Sequence, residues 1–175
     1  MINTCTIASP LGDMTASAEN NVLIGLWFVG QKYYPIKAEN WIYKPDDPVF
    51  QLLREWLRMY FDGEYNLPEL PLAPKGTSFQ KLVWDILLKI PMGKLCTYGE
   101  IAREIAIIQG LASMSAQAVG GAVGHNPISI VIPCHRVVGS NRKLTGYAGG
   151  LDRKAALLKL EHIDLSQLKL DGLNG

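Results

Sequence analysis

The chain has 175 residues, 48% of them hydrophobic and 19% charged, with 17 Lys/Arg against 16 Asp/Glu for a net charge of +1. That is enough apolar material for one core or two small ones, and it excludes a disordered chain. Three cysteines, Cys5, Cys96 and Cys134, follow neither disulfide nor zinc-site spacing; no secretory signal opens the chain, and no apolar run reaches the ~20 residues of a membrane span.

Free thiols point to a reducing compartment, the cytoplasm, or the nucleus in a eukaryote. The small net charge hides an asymmetry. Residues 1–75 carry six Lys/Arg against nine Asp/Glu, residues 76–161 ten against five, and residues 162–175 one against two. A basic segment beside an acidic one suits a nucleic-acid-binding domain with a non-binding companion, although chance yields such imbalances in small proteins.

In chain order, residues 2–8, 13–18 and 22–28 read as short strands rich in Ile, Thr, Val, Leu and Trp, with Ser9-Pro10-Leu11-Gly12 and Glu19-Asn20-Asn21 as turns. Asp47 and Pro48 then open a helix that places Phe50, Leu53, Leu57, Tyr60 and Phe61 on one face and ends at Gly63. The proline-spaced stretch 67–76 cannot be helical and reads as a linker between a domain 1–72 and a domain 73–175.

The second half is mainly helical. Thr77 and Gln80 form a capping box for a helix to Ile90, and Thr97 and Glu100 another for a helix to about Ile107. After a turn at 110–113, Ser113 or Ser115 caps a third helix to about Gly124. Two short helices joined by a tight turn read as a helix-turn-helix or as a plain helical hairpin. A last helix runs from Asp152 to Glu161, and the tail from His162 to Asn174-Gly175 is expected to be loosely held.

No formally charged side chain lies between Glu104 and Arg136. Within that gap the third helix carries Gln117 alone as a polar side chain able to read a base edge, so sequence reading by this helix is not expected. Its small residues allow close approach to a groove floor, or else close packing in the core at Gly120 and Gly121.

The apolar run Ile128-Ser129-Ile130-Val131-Ile132 reads as a short buried strand. It leads into Pro133-Cys134-His135-Arg136-Val137, where a thiol adjoins an imidazole and a cation. A thiol is reactive as thiolate, which neighbouring positive charge or a base makes available. A buried structural cysteine is the alternative for Cys134 taken alone.

The Pro-Cys-His-Arg-Val string resembles the active-site signature of the O6-alkylguanine-DNA alkyltransferases, with specific motifs over residues 76–161 and a looser likeness before them. The resemblance implies an α/β (α+β) fold. A small ribonuclease-H-like sheet domain with a helix would precede a helical domain carrying a helix-turn-helix. It implies irreversible, stoichiometric repair of O6-alkylguanine, and of O4-alkylthymine, without cofactor or metal. The partner would be the minor groove of double-stranded DNA holding a flipped base, met by a monomer with no membrane association.

By that resemblance Cys134 accepts the alkyl group, His135 takes the thiol proton through a water, and Glu161 orients His135. Asn126 joins the DNA-binding helix to the active-site loop, and Tyr98 contacts the flipped nucleotide. Val137, Tyr147, Ala148 and Gly149 form the guanine pocket, and Ser115 and Gln117 face DNA. The basic balance of residues 76–161, apart from the resemblance, makes Arg136, Arg142 and Lys143 expected phosphate contacts, with a structural role as the alternative for Arg136. Read singly, Tyr98 is equally an ordinary half-buried tyrosine, Glu161 a surface helix residue and Asn126 a turn former. Two positions depart from the family pattern: Gln117 stands where an arginine is usual, and Ala148 where many relatives carry a serine. The competing readings are a non-catalytic alkylated-DNA-binding relative, a type that lacks the acceptor cysteine, and a cysteine hydrolase, for which the adjacent His135 is poorly placed.

Overall fold

Short alternating segments build a four-stranded sheet of order β3-β2-β1-β4, from Asn3–Ile7 (β1), Met14–Glu19 (β2), Val22–Phe28 (β3) and Ile42–Tyr43 (β4). The computed structural model describes residues 1–36 and 40–169. β1 and β2, and β2 and β3, pair antiparallel, with a bulge between Ser17 and Ala18. Asn20 and Asn21 both have positive φ, 51° and 64°, the geometry of a two-residue hairpin turn that asparagine tolerates. The parallel strand β4 was not expected, since a two-residue strand leaves no alternation to read.

Helix α1 (Pro48–Phe61) starts at Asp47, whose carboxylate accepts from the Val49 N–H at 3.0 Å. It buries Phe50, Leu53, Trp56, Leu57 and Tyr60. The proline-spaced stretch does more than link. The Leu23 N–H donates to the Pro71 carbonyl (2.8 Å) and the Ala73 N–H to that of Leu23 (2.9 Å), so 71–73 cover one end of the outer edge of β3. The other end is covered by Pro127–Ser129, which the contacts assign to the N-terminal unit with Met1–Lys75. Unpaired strand edges invite pairing with other chains, and both stretches blunt that edge.

The second unit, Gly76–Asn126 with Ile130–Gly175, holds α2 (Ser78–Leu88), α3 (Tyr98–Gln109), α4 (Ala116–Gly124) and α5 (Leu151–Leu160). The capping box of Thr77 with Gln80 is complete. Thr97 caps α3 and Ser115, rather than Ser113, caps α4. Gly110, at φ 65°, ends α3 in the left-handed region. The Trp84 indole N–H donates to the Ala122 carbonyl at 2.9 Å, fixing α2 against α4. A parallel pair, Cys96–Thr97 (β5) with Val137–Val138 (β6), crosses this unit.

The tail is held more firmly than expected as far as Lys169. Leu168 packs with Leu144 and Leu158, and the Leu144 N–H donates to the Lys169 carbonyl (2.8 Å). The expectation for Asn174-Gly175 lies outside the described residues.

Candidate active site

The run 128–132 is buried but is not a strand. Ile128 forms an isolated bridge to Leu26, residues 129–131 turn, and Ile130 adopts φ 70°. Hydrophobicity dictated the burial of Ile128, Ile130 and Ile132. The backbone pairing a strand needs is absent because Pro127 and Pro133 bracket the run and Asn126 takes the Ile132 carbonyl with its side-chain Nδ2 (2.8 Å). Cys134–Arg136 then form a single 3₁₀ turn leading into β6.

Cys134 is 6% exposed, and His135 is fully buried. His135 Nε2 lies 2.6 Å from Glu161 Oε2. A carboxylate accepts, so Nε2 carries the proton and Nδ1 holds a lone pair. Nδ1 is buried and has no hydrogen-bond partner among the described residues, which excludes a direct bond to the thiol there. Burial pushes the imidazole below its ordinary range, against the pull of Glu161, so His135 is neutral. Burial pushes the Glu161 carboxyl up, but hydrogen bonds from His135 and Arg136 prevail and bring it to about 2. Burial also raises the Cys134 thiol; a side-chain hydrogen bond from Asn126 and the charge of Lys154 oppose that rise.

Arg136 corrects an expectation. In place of a phosphate contact it takes the structural alternative: it is 9% exposed and its guanidinium is spent inside the protein. Nε donates to Glu161 Oε1 (2.7 Å), Nη2 to Oε2 (3.2 Å) and Nη1 to the Ile90 carbonyl (2.6 Å). The fork grips both carboxylate oxygens, one of which also accepts from the imidazole, a two-point hold that a point-charge lysine would not give.

Lys154 escaped the sequence reading altogether. It is fully buried, and its ammonium donates to the carbonyls of Val137, of Thr145 at 2.8 Å and of Gly146 at 3.2 Å. Three donors meet three acceptors, tying β6 to the turn before Tyr147. Burial lowers its pKa to about 8, with the Cys134 sulfur pulling the other way. The available signal was spacing: Lys154 in α5 and Glu161, its C-cap, are seven residues apart, about two helical turns.

Around this centre, Tyr98 begins α3, and its hydroxyl reaches the Thr145 carbonyl at 3.5 Å. Burial, and secondarily Cys134, raise its pKa to about 12, so it remains a donor. Val137 is fully buried, Gly149 is buried, and Tyr147 and Ala148 are half-buried. The Gly150 N–H closes a turn on the Tyr147 carbonyl (2.9 Å), and Arg153 Nη1 donates to that of Gly149 (3.1 Å). Ser115 and Gln117 are exposed on the first turn of α4. Arg142 is exposed, its guanidinium 3.4 Å from the Gln167 amide oxygen.

Gly120 and Gly121 of α4 are not required by packing. A Cβ on Gly121 would meet nothing within 4 Å, and one on Gly120 would lie 3.8 Å from the Tyr98 ring, an ordinary contact. Among the described residues no cluster of His, Cys, Asp and Glu is arranged to hold a metal, and no helix is long and apolar enough to cross a membrane.

Family models for the 6-O-methylguanine DNA methyltransferase match the chain twice: the ribonuclease-like domain over residues 3–74 and the DNA binding domain over residues 78–163. The methylated-DNA–protein-cysteine methyltransferase of Mycobacterium bovis is 45% identical over 161 residues, 92% of this chain and 93% of the relative. That of Haemophilus influenzae is 42% identical over 89% of this chain and 83% of its own length. The crystal structure of Mycobacterium tuberculosis OGT in complex with DNA matches with a TM-score of 0.80 at 41% identity, covering 97% of this chain and 96% of the other. The chain belongs to the methylated-DNA–protein-cysteine methyltransferase family of DNA repair proteins.

Proposed function

We propose that this chain repairs O6-alkylguanine, and also O4-alkylthymine, by moving the alkyl group irreversibly onto Cys134, once per molecule. One observation carries the reading: His135 is buried and neutral, its Nε2–H committed to Glu161 and its Nδ1 lone pair uncommitted. That is a base oriented by a third group, the arrangement that activates a nucleophile. The thiol proton passes through a water to Nδ1. The sulfur attacks the carbon bound to O6, the carbon–oxygen bond breaks with its electron pair on oxygen, and guanine leaves after taking up a proton. The reaction needs no cofactor. Backbone N–H groups of the 147–149 turn and the Tyr98 hydroxyl meet the charge that develops on the base.

A base inside a duplex is out of reach of a buried thiol, so the lesion is extruded into the pocket, and a monomer bound in the minor groove does this in the cytoplasm. Intact-mass analysis after exposure to methylated duplex DNA tests the reading. One adduct on the Cys134 peptide is expected. Cys5 and Cys96 should stay unmodified: burial raises their thiols to about 11 and about 12, and neither adjoins a histidine as Cys134 does. Multiple turnover, or adducts at the other two cysteines, would overturn it.

The α4 glycines give a second test. Gly121→Ala is expected to stabilise the free protein by about 0.5–1 kcal/mol, because glycine inside a helix is costly and the site has room. The same methyl stands on the exposed face and should weaken binding to undamaged duplex, read by fluorescence anisotropy. A stabilised variant with unchanged affinity would remove α4 from the DNA-facing surface.

A further inference from the structure

The chain reaches the acceptor cysteine by a detour. After α4, Asn126 belongs to the second unit, Pro127–Ser129 to the first, and Ile130 to the second again. Within the first unit those three residues are tightly held. The Leu26 N–H donates to the Pro127 carbonyl (2.8 Å) and the Ser129 N–H to the Leu26 carbonyl (2.9 Å), so Ile128 lies beside Leu26 on the edge of β3. The Ser129 hydroxyl donates to Gln31 Oε1 (3.4 Å), which also accepts from the Phe28 N–H (2.9 Å). Ser129 is 2% exposed and Gln31 8%, so this bond is sheltered from water.

The stretch beyond has little slack. Ile130 holds φ 70°, a region costly to a β-branched residue and kept only where neighbours over-determine it. One fixed side is the Asn126 amide on the Ile132 carbonyl; the other is the hold of β3 on 127–129. Cys134 follows two residues after Ile132.

We propose that Gln31, acting through Ser129, is a positioning residue for Cys134 in alkyl transfer. The inference rests on transfer to Cys134 as read above. Reaction rates fall steeply when a reacting atom is displaced, roughly 10²-fold for 1 Å.

The test is made on the full chain with free O6-benzylguanine, which requires no DNA, following the limiting transfer rate and the half-saturating concentration. Ser129→Ala and Gln31→Ala should each lower the limiting rate roughly 10-fold, as partial displacement implies, with half-saturation unchanged. The double variant should be no slower than the slower single, because both remove one bond. Ile7→Val, a mild core truncation elsewhere in the N-terminal sheet, should lose thermal stability without losing rate. Should Gln31→Ala fail to fold, Ser129→Ala alone decides, since it leaves the Gln31–Phe28 turn intact. Unchanged rates, additive losses, or an equal loss in Ile7→Val would overturn the inference and leave the repair reading standing. No adduct on the parent chain would overturn the repair reading itself.

Discussion

Cys134→Ser is expected to abolish alkyl transfer while leaving DNA affinity intact. The thiolate is the competent nucleophile; a serine hydroxyl has a far higher pKa, and His135 Nδ1 makes no direct bond here that would activate it. The hydroxyl is smaller than the thiol, so it fits a site that is 6% exposed. No exposed group on α4 is altered. Intact mass after incubation with methylated duplex should show no adduct, and anisotropy should show parental binding. Transfer at the parental rate would mean that the acceptor is another residue.

Loss of Glu161 is expected to damage both chemistry and stability. Its carboxylate takes the His135 Nε2–H and two Arg136 donors in a site 2% exposed. Glu161→Ala leaves a buried guanidinium without its counter-charge, and breaking such a pair costs about 3–5 kcal/mol. It also frees the imidazole to take the wrong tautomer, and loss of general-base assistance slows reaction by roughly 10²–10⁴-fold. His135→Ala should share the slowing without the stranded guanidinium. Thermal unfolding together with single-turnover kinetics separates the two effects, and parental rates in both variants would show the relay to be misassigned. Acid stability gives an independent check. Because the folded pKa of Glu161 lies at about 2, below its ordinary 4.5, its contribution is complete above about 4.5 and is lost as pH falls towards 2. Glu161→Gln should flatten that acid limb.

Helices α1 to α4 were legible because their starts are written in side chains: Asp47, Thr77, Thr97 and Ser115 all accept the backbone N–H expected of a cap. The strands were legible from alternation. The run 128–132 misled because buried β-branched residues look alike in a strand and in an irregular turn, and no local signal announces that the outer edge of β3 takes in 127–129. Arg136 was ambiguous for a related reason. A cation in a basic segment is read as solvent-facing, whereas its partners, Glu161 and the Ile90 carbonyl, lie 25 and 46 residues away in sequence. Lys154 was illegible on the same ground, since its acceptors are backbone carbonyls, which every residue supplies.

The two-turn spacing on α5 limits how this protein can vary. Lys154 fastens the turn before Tyr147, and Glu161 fastens the imidazole and the guanidinium, both from one face of the same rod. An extra residue between them would swing one anchor about 100° around the helix axis and shift it about 1.5 Å along it, which no rotamer change restores at both ends. The outward positions between the anchors, such as Lys159, are free to change identity. The number of residues is not, so this stretch admits drift by substitution and resists insertion and deletion.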